Sequence, residues 1–218
     1  MLATLQLDLA AGPDALMAGF DKDTRWSVRQ ASKRRVVVRE ATSDADLRCF
    51  YELYAETGRR ARFITRAWEY YRSVWRSLIG AGLATLRLAS VEGAPAAAAM
   101  TWRCGERELY MYGASNEIGR RTFASYLLQW ECITAARVRG AARYDFGGIP
   151  LDPERRDDPM HGPYMFKKGF GGTRVRWAGA HDAVPRRIPY RAYLVIEPAY
   201  TRSLQAARGL VRRRGARG

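Results

Sequence analysis

The sequence predicts a mixed α/β fold of the α+β kind, in which helices flank a central, mostly antiparallel sheet. Three observations predict it. Residues up to about 80 carry apolar side chains at helical spacing, the stretch 84–115 breaks into three strand-like segments separated by tight turns, and one long helix followed by a short strand comes next. Strands joined by tight turns pair antiparallel, whereas alternating βαβ units would place a helix between each pair.

The elements follow in chain order. Gly12-Pro13-Asp14 opens a short helix with Leu16, Met17 and Phe20 on one side. Lys22, Arg25, Arg29 and Lys33 then recur at steps of three, four and four, which places them on one face of a helix over about 22–34. That ridge is either a solvated face or a row of phosphate contacts. Arg35–Glu40, centred on VVV, reads as a strand. Leu47, Phe50, Tyr51 and Tyr54 define a helix over 44–57 that Gly58 and RRAR are expected to end. Thr65 is the expected cap of the next helix, whose Trp68, Tyr71, Trp75 and Leu78 form a stripe for the core.

ATLRLASV, AAAAMTW and RELYMYGAS read as three strands joined by turns at Val91–Ala94 and Cys104–Glu106. A helix over 122–138, with Phe123, Leu127, Trp130 and Thr134 on one face, stops at Gly140. Ala142–Phe146 is a short strand, and the proline-rich, charged stretch 149–163 is a loop. Strands near 173–180 and 190–196 and a helix near 199–213 complete the chain. Nothing reads as a repeat or linker, so residues 1–218 are expected to form one domain, with a short N-terminal helical lead-in and a basic C-terminal helix and tail.

Composition narrows the function. At 218 residues, 47% of them hydrophobic, the chain can bury a sizeable core. No apolar run approaches a membrane span, and MLATLQLDLAAG lacks the basic and apolar regions of a secretory signal, so the cytoplasm is the expected location. Cys49, Cys104 and Cys132 have neither disulfide nor metal spacing and are expected as core thiols. The net charge is +15, and residues 161–218 hold 13 Lys and Arg against Asp182 and Glu197. Arginine forks match phosphate oxygens, so RNA, a phosphorylated small molecule or an anionic membrane surface would fit this segment.

His161 and His181 stand apart without ligand spacing, and neither a GxxxxGK[ST] nor a GxGxxG phosphate loop occurs. What remains are YDFGGIP at 144–150 and YMFKKGFGG at 164–172. Gly147 and Gly148 allow a turn or a close ligand approach at a strand end that also carries Asp145. Lys167 or Lys168 places a positive charge beside a glycine-lined backbone, suited to binding phosphate or to stabilising an oxyanion in acyl transfer.

RWSVRQASKRRVVVREA at 25–41, LYMYGASNEIGRRTFASYLLQWECITAARVRGAARYDFGGIP at 109–150 and GPYMFKKGFGG at 162–172 together resemble the FemABX family of aminoacyl-tRNA-dependent peptidyltransferases. The resemblance runs from about Leu5 to Tyr193, and the ordered combination of LLQWE, YDFGGI and FKxGF is its specific part. It implies an N-acetyltransferase-like (GNAT) fold and transfer of an aminoacyl group from charged tRNA to an amine, with no metal or organic cofactor. Family members usually hold two such domains, and this chain looks like the second.

The resemblance places Lys167, preceded by Phe166, in the active site, and Asp145 matches the family's YDFGG pattern in either a structural or a chemical role; Phe166, Tyr164, Lys168, Gly147 and Gly148 are the substrate-binding candidates around them. It associates an arginine after the 44–57 helix with a precursor diphosphate; Arg60 matches best, with Arg59 and Arg62 as competitors. Lys22, Arg25, Arg29 and Lys33, and the tail residues Arg212, Arg213 and Arg214, would hold the tRNA backbone. The compact form favours a small peptide or a carrier-protein-bound peptide as acceptor, as in peptide-antibiotic biosynthesis, over a muropeptide; a homodimer could rebuild the missing half. Acetyl-CoA-dependent N-acetylation is the rival on the same fold, although ASNEIGRRTFAS lacks its usual Q/R-x-x-G-x-G/A turn. A non-enzymatic RNA-binding module is the second rival.

Overall fold

The computed structural model describes the backbone of residues 2–215 and the side chains of residues 2–200 and 203. The chain divides into two compact units, Met1–Ala178 and Gly179–Gly218.

In the first unit the elements are β1 (Ala3–Asp8), α1 (Pro13–Ala18), α2 (Lys22–Lys33), β2 (Val36–Ala41), α3 (Asp44–Ala61), α4 (Trp68–Gly80), β3 (Ala84–Val91), β4 (Ala94–Cys104), β5 (Arg107–Ser115), α5 (Glu117–Arg121), α6 (Ala124–Val138), β6 (Arg143–Gly148), α7 (His161–Lys168) and β7 (Thr173–Arg176). The strands form one sheet in the order β2-β3-β4-β5-β6-β1-β7. All neighbours pair antiparallel except β5 and β6, which run parallel.

Both faces of the sheet are covered, so its central strand cannot alternate apolar with polar. Ala96 to Thr101 of β4 are all buried; Ala97 and Ala99 face one core, Ala98 and Met100 the other. The first core packs residues of α1, α2 and α6, including Leu16, Val28, Leu128 and Ile133, and Phe20 from the α1–α2 turn, with β1 and β6. The second packs α3 and α4, where Trp75 stacks on Phe50 at a centroid distance of 4.4 Å. The stripe read as core at 68–78 is core: Trp75 is fully buried and Tyr71 nearly so.

Several local readings are corrected. Residues Ala3–Asp8, taken as lead-in, form a strand inserted between β6 and β7. Gly58 does not end its helix but lies inside α3, where a Cβ would come within 2.8 Å of Thr65 Cγ2, so the glycine lets the 63–65 segment fold back on the helix. The N-cap of α4 is Ala67, with no side-chain cap, rather than Thr65. The helix expected over 122–138 starts two residues later, at Ala124, because Phe123 at φ +60° is its N-cap and separates it from α5. Part of the expected 149–163 loop belongs to α7, because Pro163 sits in the first turn, where its missing N–H costs nothing. Cys132 is buried as expected, but Cys104 is exposed.

In the second unit the described structure is α8 (Arg187–Gly215), a helix with Pro198 inside it. The strand expected near 190–196 is part of this helix.

Candidate active site

β5 and β6 are paired only from Arg107↔Arg143 to Leu109↔Asp145, yet β5 runs on to Ser115. Two features separate them beyond that point. A bulge in β5 leaves Met111 unpaired, between Tyr110↔Thr101 and Tyr112↔Met100. β6 turns away at Gly147, whose φ is +73°. Asp145 sets that turn, its Oδ1 accepting the Gly147 N–H at 2.8 Å.

Along the freed part of β5 lies a cavity of about 690 Å³. Its walls come from four places: Tyr110 and Gly113 on β5, Arg60 on α3, Gly119 to Gln129 around α5 and α6, and Phe166 on α7. Neighbouring atoms crowd two glycines among these positions. A Cβ on Gly119 would stand 2.2 Å from the Ala96 carbonyl oxygen, and one on Gly113 would meet the Tyr110 hydroxyl, which folds back over it. Burial pushes the Tyr110 phenol up, so it remains a hydrogen-bond donor at neutral pH.

Two guanidiniums border the cavity. Arg60 donates to the Ser115 carbonyl at 2.8 Å, a carbonyl that Thr57 Oγ1 also reaches at 3.2 Å. Burial lowers the Arg60 pKa, the nearby Arg120 charge lowers it further, and Glu56 opposes both. Two like charges against one half-exposed carboxylate at 4.0 Å leave a site that an anion would relieve.

The two glycine-dense motifs meet in a buried cluster next to Phe166. Lys167 is buried and donates from Nζ to the Gly148 carbonyl at 2.7 Å. Burial lowers its pKa to about 8, and the Asp145 charge partly offsets that. The Asp145 carboxylate is itself fully engaged, Oδ2 accepting the Gln6 amide at 3.0 Å and lying 3.6 Å from the Arg107 guanidinium. α7 is held against α2 by close approach: a Cβ on Gly169 would stand 2.1 Å from Thr24 Oγ1, and Asp21 N–H donates to the Gly169 carbonyl at 2.9 Å.

The structure therefore sorts the predicted residues. Arg60 and Phe166 line the cavity; Lys167, Asp145, Gly147 and Gly148 form the cluster behind Phe166. Of the two neighbouring lysines, Lys167 is buried and Lys168 is exposed. Tyr164 is half-buried against the first core. On α2, Lys22, Arg29 and Lys33 are exposed, but Arg25 turns inward and donates to the Ala18 and Phe20 carbonyls at the end of α1. Arg212, Arg213 and Arg214 lie outside the described side chains.

Sequence reasoning missed Tyr110, Gly113, Gly119, Arg120 and Tyr126, which belong to the site only because the β5–β6 divergence brings them together. The signal for two of them was the glycines of MYGAS, inside a stretch read as strand, and of NEIGRR, between that strand and the next expected helix. Among the described residues no group of three or more His, Cys, Asp or Glu is placed to hold a metal ion.

The family model for the acetyltransferase (GNAT) domain matches residues 19–168, well over half of the chain. The chain belongs to this acetyltransferase (GNAT) domain family. Its GNAT domain is similar to the lipid II:glycine glycyltransferase of Staphylococcus epidermidis, 24% identical over 87% of this chain, and to that of Staphylococcus aureus, with the same identity and coverage. The chain spans about 60% of the length of these curated relatives. Among solved structures it is similar to FemX, with a TM-score of 0.75 and 23% identity over 81% of this chain and 60% of that one. It also resembles L-PGS from Bacillus licheniformis, with a TM-score of 0.54 and 10% identity over 80% and 58% of the two chains. The fold is thus that of a GNAT domain, and the resemblance to FemABX proteins read from YDFGGI and FKxGF extends over most of the chain.

Proposed function

We propose that this GNAT domain transfers an aminoacyl group from aminoacyl-tRNA to an amine on a peptidoglycan precursor, forming an amide bond in the cytoplasm. The observation that carries the reading is the meeting of YDFGGI and FKKGF, through the Lys167–Gly148 hydrogen bond, behind Phe166 in the wall of a cavity flanked by Arg60 and Arg120. The names of the curated relatives supply the acceptor class. The small or carrier-bound peptide of antibiotic biosynthesis has no such support, so the precursor takes precedence.

The ester of a charged tRNA is already activated. The protein's task is to align an amine with the ester carbonyl and to stabilise the negative charge that develops on its oxygen. The C–N bond forms, the ester C–O bond breaks, and the ribose hydroxyl leaves with the proton that the amine gives up. Lys167 keeps two N–H bonds beyond the one to Gly148, and burial in a low-dielectric wall lengthens the reach of its charge. Arg60 and Arg120 bind the substrate's phosphates. Lys22, Arg29 and Lys33 continue the positive surface along α2 for the tRNA backbone, whose binding weakens steeply as salt rises.

Acetyl-CoA transfer is the second reading, favoured by the matched family; the same pair of arginines would accept its phosphates. One experiment separates the two. The purified chain is incubated with radiolabelled glycyl-tRNA or acetyl-CoA and a muropeptide precursor, and transfer of label is followed for the native protein and for Lys167→Met. Label moving from glycyl-tRNA, with turnover lost in Lys167→Met and tRNA retention kept within a few-fold, supports the proposal. Transfer from acetyl-CoA alone refutes it, and turnover that survives in Lys167→Met removes the role given to that lysine.

A further inference from the structure

The second unit carries a surface that the transferase reading leaves unused. In α8, Ile188, Val195, Ile196 and Tyr200 are 83%, 72%, 64% and 62% exposed, and Tyr193 is exposed beside them. At 100° per residue, Ile188, Ala192, Val195 and Ala199 fall on one row at steps of four, three and four, with Tyr193, Ile196 and Tyr200 on the adjoining row. Arg191 borders this arc, one turn from both Ile188 and Val195, and Arg187 lies farther round the same helix, away from the arc's centre. A helix of a soluble domain normally turns such an arc into a core; these five side chains are exposed.

We propose that α8 docks on an anionic lipid surface, with its apolar arc sunk into the headgroup–acyl boundary and its arginines at the level of the phosphates. Charge complementarity selects this occupant. Residues 179–218 hold nine arginines against Asp182 and Glu197, and residues 198–218 hold six arginines and no acid. Basic, amphipathic helices of this kind lie in the interface plane, and each cation near a negatively charged leaflet adds to the attraction. Tyrosine suits that boundary, since its ring is apolar and its hydroxyl stays wet. Among the described residues no helix is long and apolar enough to cross a membrane, so the helix lies on the bilayer and does not span it. An RNA backbone would use the arginines but gain nothing from an exposed Ile188, Val195 and Ile196. The proposal holds whether or not the transferase reading does, because it is read without turnover.

The test is co-sedimentation of the full chain with sucrose-loaded vesicles, either of phosphatidylcholine alone or with about a third phosphatidylglycerol. The native chain is expected to sediment with the anionic vesicles only, and partly to release at high salt. Val195→Asp with Ile196→Asp should lower the partition coefficient by on the order of a hundredfold, because two apolar side chains leave the boundary and two anions replace them. Arg187→Glu with Arg191→Glu should lower it less. These positions are exposed, and an unchanged circular dichroism melt of each variant ties the loss to the surface. Failure to sediment with anionic vesicles overturns the proposal, as does sedimentation that the Asp pair leaves unchanged. Two further outcomes would also overturn it: a native dimer that the Asp pair dissociates would make a second copy the occupant, and tRNA retention lost in that same variant would make it RNA.

Discussion

Lys167 makes a prediction that can be worked through in numbers. Its pKa falls from the ordinary 10.5 to about 8 on folding, chiefly because burial penalises the charged form. Between those two values the unfolded chain binds more protons than the folded one, so stability rises with pH across that window. Below about pH 8 both states hold the proton and the full penalty applies. Going from about pH 7 to about pH 9.5 should therefore add about 2 kcal/mol from this group alone. In Lys167→Met the titrating group is absent and the aliphatic chain is approximately kept. The difference in unfolding free energy, native minus variant, should grow by about 2 kcal/mol over that range, or roughly 4–8 °C in the difference between thermal midpoints. Urea unfolding at several pH values measures it, and subtracting the variant removes the contributions of other groups. Parallel stability curves for the two proteins would refute the reasoning, because they would mean that the Lys167 ammonium is as well solvated folded as unfolded.

Other expectations follow from single contacts. Asp145→Asn puts an amide where two donors, Gly147 N–H and Gln6 Nε2, now point at carboxylate oxygens, and should cost about 1–3 kcal/mol in chemical denaturation; activity lost with stability intact would instead mark Asp145 as a chemical group. Gly119→Ala drives a methyl to 2.2 Å from the Ala96 carbonyl oxygen and should cost about 1–3 kcal/mol, seen as a lower melting temperature with weaker binding of anionic ligands in the adjoining cavity. Ser43→Ala breaks the capping box in which Ser43 Oγ accepts the Asp46 N–H at 3.1 Å and Asp46 Oδ2 accepts the Ser43 N–H at 3.2 Å; about 1 kcal/mol should be lost, with no change in ligand binding. Trp75→Ala empties the stacked pair with Phe50 and should cost about 3–5 kcal/mol, read by urea unfolding.

The sequence by itself determined what depends on near neighbours in the chain. The 3.6-residue recurrence of Tyr71 and Trp75, the turns at Gly93 and Gly105, and the stop at Gly140 are local stereochemistry, and each lies where its pattern put it. The ordered motifs LLQWE, YDFGGI and FKxGF were legible too, and with them the GNAT fold, because an ordered set of motifs survives where overall identity has fallen to 24%.

What only the tertiary structure decided are relations between distant residues. Ala3–Asp8 carries no strong signal of its own, yet β6 and β7 leave a gap between them that an extended segment fills with hydrogen bonds on both sides. Gly58 reads as a helix stop from its own propensity, but the fold-back of Phe63 and Thr65 needs its missing side chain inside α3. Residue type alone does not separate Lys167 from Lys168; a helix of eight residues docked on α2 through Gly169 buries the first and exposes the second. The cavity is the plainest case. It exists because Met111 bulges out of one strand while Gly147 bends the other, and two parallel strands that part create a space that neither encodes alone.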